Sequence, residues 1–428
     1  MTPALDAAPF AAGLILLIPL ALVGLTLMNC GLTRSRSAAH VLMASLAVAA
    51  VAGIAYAICG FAWQSFADRP AYALLVAGKP WNWIGADRFF LGGLDFDRSP
   101  AALASCFGVF AAALAACIPL GAGAERWRLA GSIASSAVLG GWIFPLFAHW
   151  VWGAGWLQQL GLNYGLGIGF ADAGGAGAIQ TIGGLTALSV AWILGPRRGK
   201  FSPDGLPAAI PGHNSVFVLI GCLLAFTGWT GLNGAGAILF YHASPARVAL
   251  IAVNTFLAAG SALLVTSLIT RARFSRPDAS LSANGWVAGL VASSAGSPFL
   301  PPAAALIVGI VSGALVPICI EWFELRLRVD DPAGAASVHG VAGLWGLLAA
   351  GLFARFPSAQ PDQVLAQLMG IAALLGFIFP LIYGANWILN RFVRYRAVPE
   401  AERQGLDLHE LGSHAYPESA GYLDEMQH

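Results

Sequence analysis

Charge is what this sequence has least of. Only 10% of its 428 residues are Asp, Glu, Lys or Arg, against 58% hydrophobic. No water-soluble fold of this length hides so much apolar side chain, so the solvent in which it folds is a lipid bilayer. The formal net charge is +1 and no cationic cluster stands out, which excludes nucleic acid as a partner, because phosphate recognition needs a concentrated basic surface. Cys-x-x-Cys pairs are also missing. The six cysteines, Cys30, Cys59, Cys106, Cys117, Cys222 and Cys319, fall inside or beside apolar runs and read as small packing residues. There is no metal-ligand spacing and no cofactor motif. The Gly-rich stretches lack the Lys-Ser or Lys-Thr ending of a phosphate loop, and the absence of a nucleophile, base and oxyanion constellation argues against an enzyme. Residues 1–9 carry Asp6 and no basic stretch ahead of the first apolar run, so that run is expected to stay as a helix rather than be removed as a signal peptide.

What is present is a series of apolar runs. A membrane crossing takes about twenty residues at helical rise, and candidates lie at 10–28, 38–61, 101–122, 129–151, 176–194, 215–239, 248–269, 284–297, 303–323, 337–353 and 365–389. The expected fold is therefore an all-α membrane protein of about eleven spans, the eighth being short and Gly-rich. The 52 glycines suit close helix approach, since association in lipid depends on packing and backbone proximity. Arg34 and Arg36, Arg126 and Arg128, Arg197, Arg198 and Lys200, Arg271, Arg273 and Arg276, Arg326 and Arg328, and Arg391, Arg394 and Arg396 all follow odd-numbered runs. By the positive-inside rule these connections and the C-terminal tail are cytoplasmic, with the N-terminus outside.

An internal repeat is visible. The stretch from Asp172 to Leu185 matches that from Asp331 to Leu344 at a constant offset of 159 residues, pairing Asp172 with Asp331, Gly175 with Gly334, Gln180 with His339 and Gly184 with Gly343. The first copy leads into run five and the second into run ten, which cross in opposite senses. Such inverted repeats place a substrate path at their interface near the midplane. The expected organisation is a transmembrane domain over 1–396, with repeat one at about 8–196, repeat two at about 212–356 and an eleventh helix at about 364–392, followed by a cytoplasmic tail over 397–428.

At this point several motifs resemble those of the ammonium transporter family (Amt, Mep and Rh proteins). They include Gly121-Ala-Gly-Ala-Glu125-Arg126, Ala148-His-Trp-Val-Trp152-Gly, the segment from Asn163 to Asp172, Gly195-Pro-Arg-Arg-Gly-Lys-Phe201, Ala209-Ile-Pro-Gly-His-Asn214, Gly228-Trp229 with Asn233, Val329-Asp330-Asp331-Pro332 and Val338-His339-Gly340. The tail from Pro399 to Asp407, then Ala415-Tyr416-Pro417, is similar to the family's as well. The likeness runs over nearly the whole chain. It implies a homotrimer in the cytoplasmic (inner) membrane, each subunit with a narrow pore for ammonium/ammonia or methylammonium, two hydrogen-bonded histidines at the pore centre, and a PII-type regulatory protein as a partner at the cytoplasmic face. One pore histidine matches His339; the other position is Gln180. The two aromatic gate positions fall on Ala111 and Leu232, with Phe107 or Phe110 as partial substitutes, the cation-recruiting serine falls on Gly236, and Asn29 replaces a tyrosine.

An indole face at Trp152 attracts a small cation through its quadrupole; an interfacial belt tryptophan is the structural alternative. Asp172 either draws cations to the outer vestibule or caps span five by accepting backbone N–H bonds. An imidazole buried in an apolar helix is costly and marks a pathway, which assigns function to His339. Gln180 donates and accepts hydrogen bonds but does not titrate near neutral pH, so a proton relay through both positions is interrupted. His40, His149, His213 and His242 are expected to be solvated or interfacial, and Glu321 and Glu324 to pair with Arg326 and Arg328. Three readings remain: an ammonium/ammonia channel or transporter with an altered pore centre and gate; an ammonium sensor or regulatory membrane protein with little transport; and a conduit for another small neutral solute.

Overall fold

Each apolar run forms a helix in the computed structural model, which describes residues 7–66, 71–357 and 361–416. In lipid every backbone N–H and C=O must be satisfied within the chain, and a helix does this locally. Among the described residues ten helices are long and apolar enough to cross a membrane: Ala8–Leu32, Ser35–Gln64, Pro100–Gly123, Leu129–Trp152, Ala176–Leu194, Ser215–Tyr241, Arg247–Phe274, Pro302–Leu327, Ala336–Phe353 and Gln363–Phe392. These are spans one to seven and nine to eleven. The eighth run forms a shorter helix, Ala279–Ser293. It starts earlier than its apolar stretch because the Asp278 side chain accepts the Leu281 N–H at 2.8 Å, a strong N-terminal stop. It ends at Ser293 so that the Ser294 and Ala295 carbonyls accept the Gly174 and Ala173 N–H groups, at 2.8 and 3.0 Å. Run eight thus ends by holding the lead-in to span five.

Between spans two and three lies an element absent from the hydropathy reading, an antiparallel hairpin of β1 (Ala71–Val76) and β2 (Lys79–Gly85). Val76 pairs with Lys79 across the two-residue turn Ala77–Gly78, both at positive φ. That is the geometry matching the twist of paired strands, and Gly78 adopts it without penalty.

Burial separates the centre of the bundle from its lipid-facing rim. In the most apolar window of spans three and five, 78% and 83% of residues are buried, against 39% in spans one, two, seven, nine and eleven. Spans five and ten cross where Gly184 meets Gly340: a Cβ on Gly184 would lie 2.1 Å from the Gly340 nitrogen. The counterpart contact sets Gly343 against Thr181, 2.4 Å from where a Cβ would sit. Side chains larger than hydrogen at Gly184 would force the two spans apart.

Both central spans begin with a π-helical turn, Ala176–Thr181 and Ala336–Val341, each preceded by a left-handed glycine, Gly175 (φ 82°) and Gly334 (φ 69°). Asp172 Oδ2 accepts the Gly177 and Ala178 N–H groups at 2.9 Å, and Asp331 Oδ2 accepts that of Ala336 at 2.7 Å. Single π turns widen a helix locally and recur at functional sites. Here they carry Gln180 and His339.

The ends of spans three, five and nine are bound together by charge. Arg197 donates to Asp330 Oδ2 at 2.9 Å, to Asp330 Oδ1 at 3.0 Å and to Glu125 Oε1 at 2.7 Å, and Glu125 also pairs with Arg34. Arg126, fully buried, donates to the carbonyls of Gly195 and Asp330, both at 2.7 Å. Burial alone would raise the Asp330 carboxyl, but Arg126 and Arg197 overrule it and hold the group at about 2. The tail docks on the same face. Asp407 accepts the Ala39 and His40 N–H groups at 3.1 and 2.6 Å, and Glu410 accepts the Leu129 N–H and contacts His40 Nε2, both at 2.8 Å. We call this the tail face; the last part of the tail, 417–428, lies outside the described residues.

Two expectations are corrected. His40 and His149 are 3% and 0% exposed rather than solvated, because each ring has a fixed partner: Glu410 for His40, and the Gln64 carbonyl at 2.7 Å for His149. Glu321 and Glu324 pair with Arg273 and Lys200 rather than with Arg326 and Arg328, and Arg328 stands outside the helix as its left-handed C-cap.

Candidate functional site at the crossing of spans five and ten

His339 and Gln180 come together at the crossing. His339 Nδ1 lies 2.8 Å from Gln180 Oε1, and the two residues are 3% and 0% exposed. With the amide oxygen facing the ring, the bond requires the proton on Nδ1 and leaves a lone pair on Nε2. The pair can therefore present an acceptor to a passing N–H group, while the amide has no proton to pass on. Gln180 Nε2 has no partner, a second polar point available to a solute or water. Trp229 stands beside the imidazole, ring centroids 6.4 Å apart.

On the tail-face side of His339 is a chamber of about 10 Å³ lined by Asn29, Asn284, Leu25, Met28 and Val338. That is room for one water-sized molecule. Asn29 is held loosely, its Nδ2 3.5 Å from the Cys117 carbonyl.

At the other end of span five, Trp152 Nε1 donates to the Asp172 carbonyl at 2.8 Å. The indole face is stacked on Phe240, centroids 4.6 Å apart and planes 4° from parallel. Phe107 meets both rings edge-on, at 5.6 Å from Trp152 and 5.3 Å from Phe240. Asp172 is fully buried behind them, and its backbone N–H donates to the Tyr241 hydroxyl at 2.7 Å. Ala111 and Leu232 are both fully buried. Phe110 is partly buried at the edge of the core, and no ring contact links it to the Trp152 cluster. A Cβ on Gly236 would lie 2.1 Å from the Ala173 carbonyl oxygen, so this backbone has no space for serine.

Phe240 is the residue that sequence reasoning missed. Its one signal is an aromatic at the end of run six, and only the packing of spans three, four and six brings it onto Trp152. Asn284 was missed for a similar reason, since run eight offers no periodicity to say which side faces the chamber beside His339.

Comparison with known proteins agrees with this fold. The Ammonium Transporter Family profile matches residues 10–416. The chain is 36% identical over 412 residues to ammonium transporter Amt2 of Archaeoglobus fulgidus, covering 92% of this chain and 84% of that protein. It is 30% identical to the Bacillus subtilis ammonium transporter, covering 94% and 96%. Among solved structures, one described as a sensor Amt protein superposes with a TM-score of 0.84 at 29% identity, covering 94% of this chain and 96% of that one. Saccharomyces cerevisiae Mep2 shares the fold, with a TM-score of 0.80 at 23% identity over 94% and 90% of the two chains. With its family match spanning nearly every described residue, this multi-pass membrane protein belongs to the ammonium transporter family.

Proposed function

We propose that the chain is a membrane channel or transporter for ammonium/ammonia or methylammonium, whose path passes the Gln180–His339 pair between Trp152 on one face and the Asn29 chamber on the other. The observation that carries this reading is the 2.8 Å contact of the buried imidazole with the amide. An ionisable ring in a bilayer-buried helix is retained for a pathway, and here it faces a polar partner. Because Gln180 does not relay a proton, each translocated molecule carries less net charge than through a two-histidine path. Uptake of radiolabelled methylammonium into proteoliposomes tests the reading: flux that His339→Ala abolishes is expected, and absence of flux in the parent protein contradicts it.

The sensor reading is favoured by one observation, the Phe240 ring lying flat on the indole face where a cation would bind. Saturable methylammonium binding to the purified protein without flux selects it. Nothing in the geometry favours the neutral-solute conduit, whose wide mouth is occupied by Phe107 and Phe240.

The reading extends to the rest of the assembly. The matched Asp172 and Asp331 caps and reciprocal glycine contacts support a five-plus-five inverted repeat. The basic residues following odd-numbered spans support a cytoplasmic tail face with the N-terminus outside. A homotrimer and a PII-type protein on the tail face complete the proposed assembly.

A further inference from the structure

The backbone that leads into span five, residues 165–175, is not helical. Within a lipid-embedded bundle such backbone must find its hydrogen-bond partners elsewhere in the protein. For this segment many of them come from one face of span eleven. Gln363 Oε1 accepts the Ile168 N–H at 2.9 Å, and its Nε2 donates to the Gly169 carbonyl at 2.8 Å. Gln367, one helical turn on, accepts the Ala171 N–H at 2.7 Å and donates to the Ala171 carbonyl at 2.8 Å. A single carboxamide thus holds both backbone groups of Ala171, as a paired strand would. Gly370 follows on the same face and leaves the hollow that the Phe170 ring fills: a Cβ there would lie 2.1 Å from two ring carbons.

Gln367 reaches further. Its Nε2 also donates to the Leu347 carbonyl of span ten at 3.0 Å. The residue is fully buried, and a buried carboxamide in an apolar helix costs more than an aliphatic side chain unless its bonds do what packing cannot. Here they join the lead-in of the helix that carries Gln180 to the body of the helix that carries His339. Asp172, next after Ala171, caps span five through its side chain and takes the Trp152 indole N–H on its carbonyl. A shift of Ala171 is therefore passed to the π turn that sets Gln180. At the offset of 159 residues Ala171 answers to Asp330, which Arg126 and Arg197 hold at the tail face. Each central span is anchored at the residue before its capping aspartate, by charge at the tail face and by amides at the other end.

We propose that Gln367, supported by Gln363, is a positioning residue for translocation: through it span eleven fixes spans five and ten relative to each other, and with them the Gln180–His339 contact. Its bonds reach neither member of the pair, so it acts through the backbone alone. That this placement matters for flux rests on the transport function proposed above. Asn386 separates positioning from stability. It lies on the same span, is also buried, accepts from the Ser135 and Tyr395 hydroxyls at 2.8 and 2.9 Å and donates to the Ile382 carbonyl at 2.9 Å. Those bonds tie span eleven to span four and to the chain entering the tail, not to span five or span ten.

Gln367→Met keeps the length of the side chain and removes its hydrogen bonds, and Asn386→Leu is the matched control. Methylammonium uptake by the full-length protein in proteoliposomes, counted per folded molecule, is expected to fall roughly tenfold at its maximum in Gln367→Met, with the half-saturating concentration unchanged. Asn386→Leu is expected to lower the melting temperature and keep the parent's uptake per folded molecule. Hydrogen–deuterium exchange of residues 165–178 in nanodiscs is expected to quicken about tenfold in Gln367→Met, as for one lost hydrogen bond, and to stay at the parent's rate in Asn386→Leu. Uptake per folded molecule that falls equally in both variants, or exchange of the segment unchanged in Gln367→Met, overturns the proposal. Should Gln367→Met fail to fold, Gln363→Met carries the same comparison with a smaller effect of the same sense. The two readings fail separately: missing flux in the parent protein counts against transport, whereas the exchange of residues 165–178 decides the hold of Gln367 on the lead-in, whatever the flux.

Discussion

Gly184 and Gly340 touch, but not equally. A Cβ on Gly184 would run into the Gly340 nitrogen at 2.1 Å, whereas a Cβ on Gly340 would rest 3.6 Å from the Gly184 carbonyl carbon, an ordinary contact. Gly184→Ala is therefore expected to part spans five and ten, lower stability in detergent by roughly 1–3 kcal/mol and remove methylammonium uptake. Gly340→Ala is expected to fold and transport nearly as the parent does. Thermal unfolding and uptake measured side by side check this asymmetry; equal damage from both would mean that the crossing is not what sets the helix spacing.

Gln180→His restores a second titratable ring at the centre. The expected outcome is a larger ammonium-evoked current in proteoliposomes per methylammonium taken up, because two imidazoles can pass a proton where imidazole and amide cannot. Solid-supported-membrane recordings beside tracer flux measure that ratio. If it does not change, the amide is not the break in the relay.

At the end of span five away from the tail face, Phe240→Leu uncovers the indole face of Trp152. A cation over an exposed indole gains about 0.5–1 kcal/mol, or roughly two- to fivefold in affinity. Half-saturating methylammonium should fall by that factor in Phe240→Leu, and the gain should be lost when Trp152→Leu is added to it. An unchanged value in both would assign the stacked rings to packing alone.

Asp330 ties the fold to pH. Its carboxyl sits at about 2, below the ordinary 3.8, so its contribution is complete above the unfolded value and is lost as pH falls toward the folded one. The difference corresponds to about 2 kcal/mol. Asp330→Asn should destabilise the protein at neutral pH by roughly 3 kcal/mol, since it leaves buried Arg126 with carbonyl acceptors alone and Arg197 with Glu125 as its one carboxylate. It should also flatten the acid limb of a melting-temperature titration. A limb as steep as the parent's would place the acid-labile group elsewhere.

The tail contact offers a milder test. Glu410 is held below its ordinary value: burial pushes it up, but the hydrogen bonds from His40 and the Leu129 N–H outweigh that. Its grip is therefore present at neutral pH and weakens on acidification. Glu410→Ala should release the tail, read as faster limited proteolysis after Arg403, with little effect on the melting of the spans.

Much of the fold was legible because hydropathy acts on each residue separately. Run five was placed at 176–194 and the helix is Ala176–Leu194; run ten begins one residue earlier than expected. The Asp-to-Leu repeat pointed to Gln180 and His339 as partners because both copies preserve the same local cap, glycine and register. The hairpin at Ala71–Gly85 escaped since its turn, Ala77–Gly78, lacks the Asn-Gly or Asp-Gly signal that marks such a loop most strongly.

By itself, then, the sequence determined that the chain lives in lipid, where its helices run, and which polar residues are too costly there to be incidental. Only the tertiary structure decided that Phe240 lies on Trp152, that Gly236 has no room for a hydroxymethyl group, and that Gly184 meets the Gly340 backbone. The reason is physical. Burial in a bilayer is a property of a segment, whereas these relations join side chains on different helices, and their geometry follows from how closely the backbones can cross.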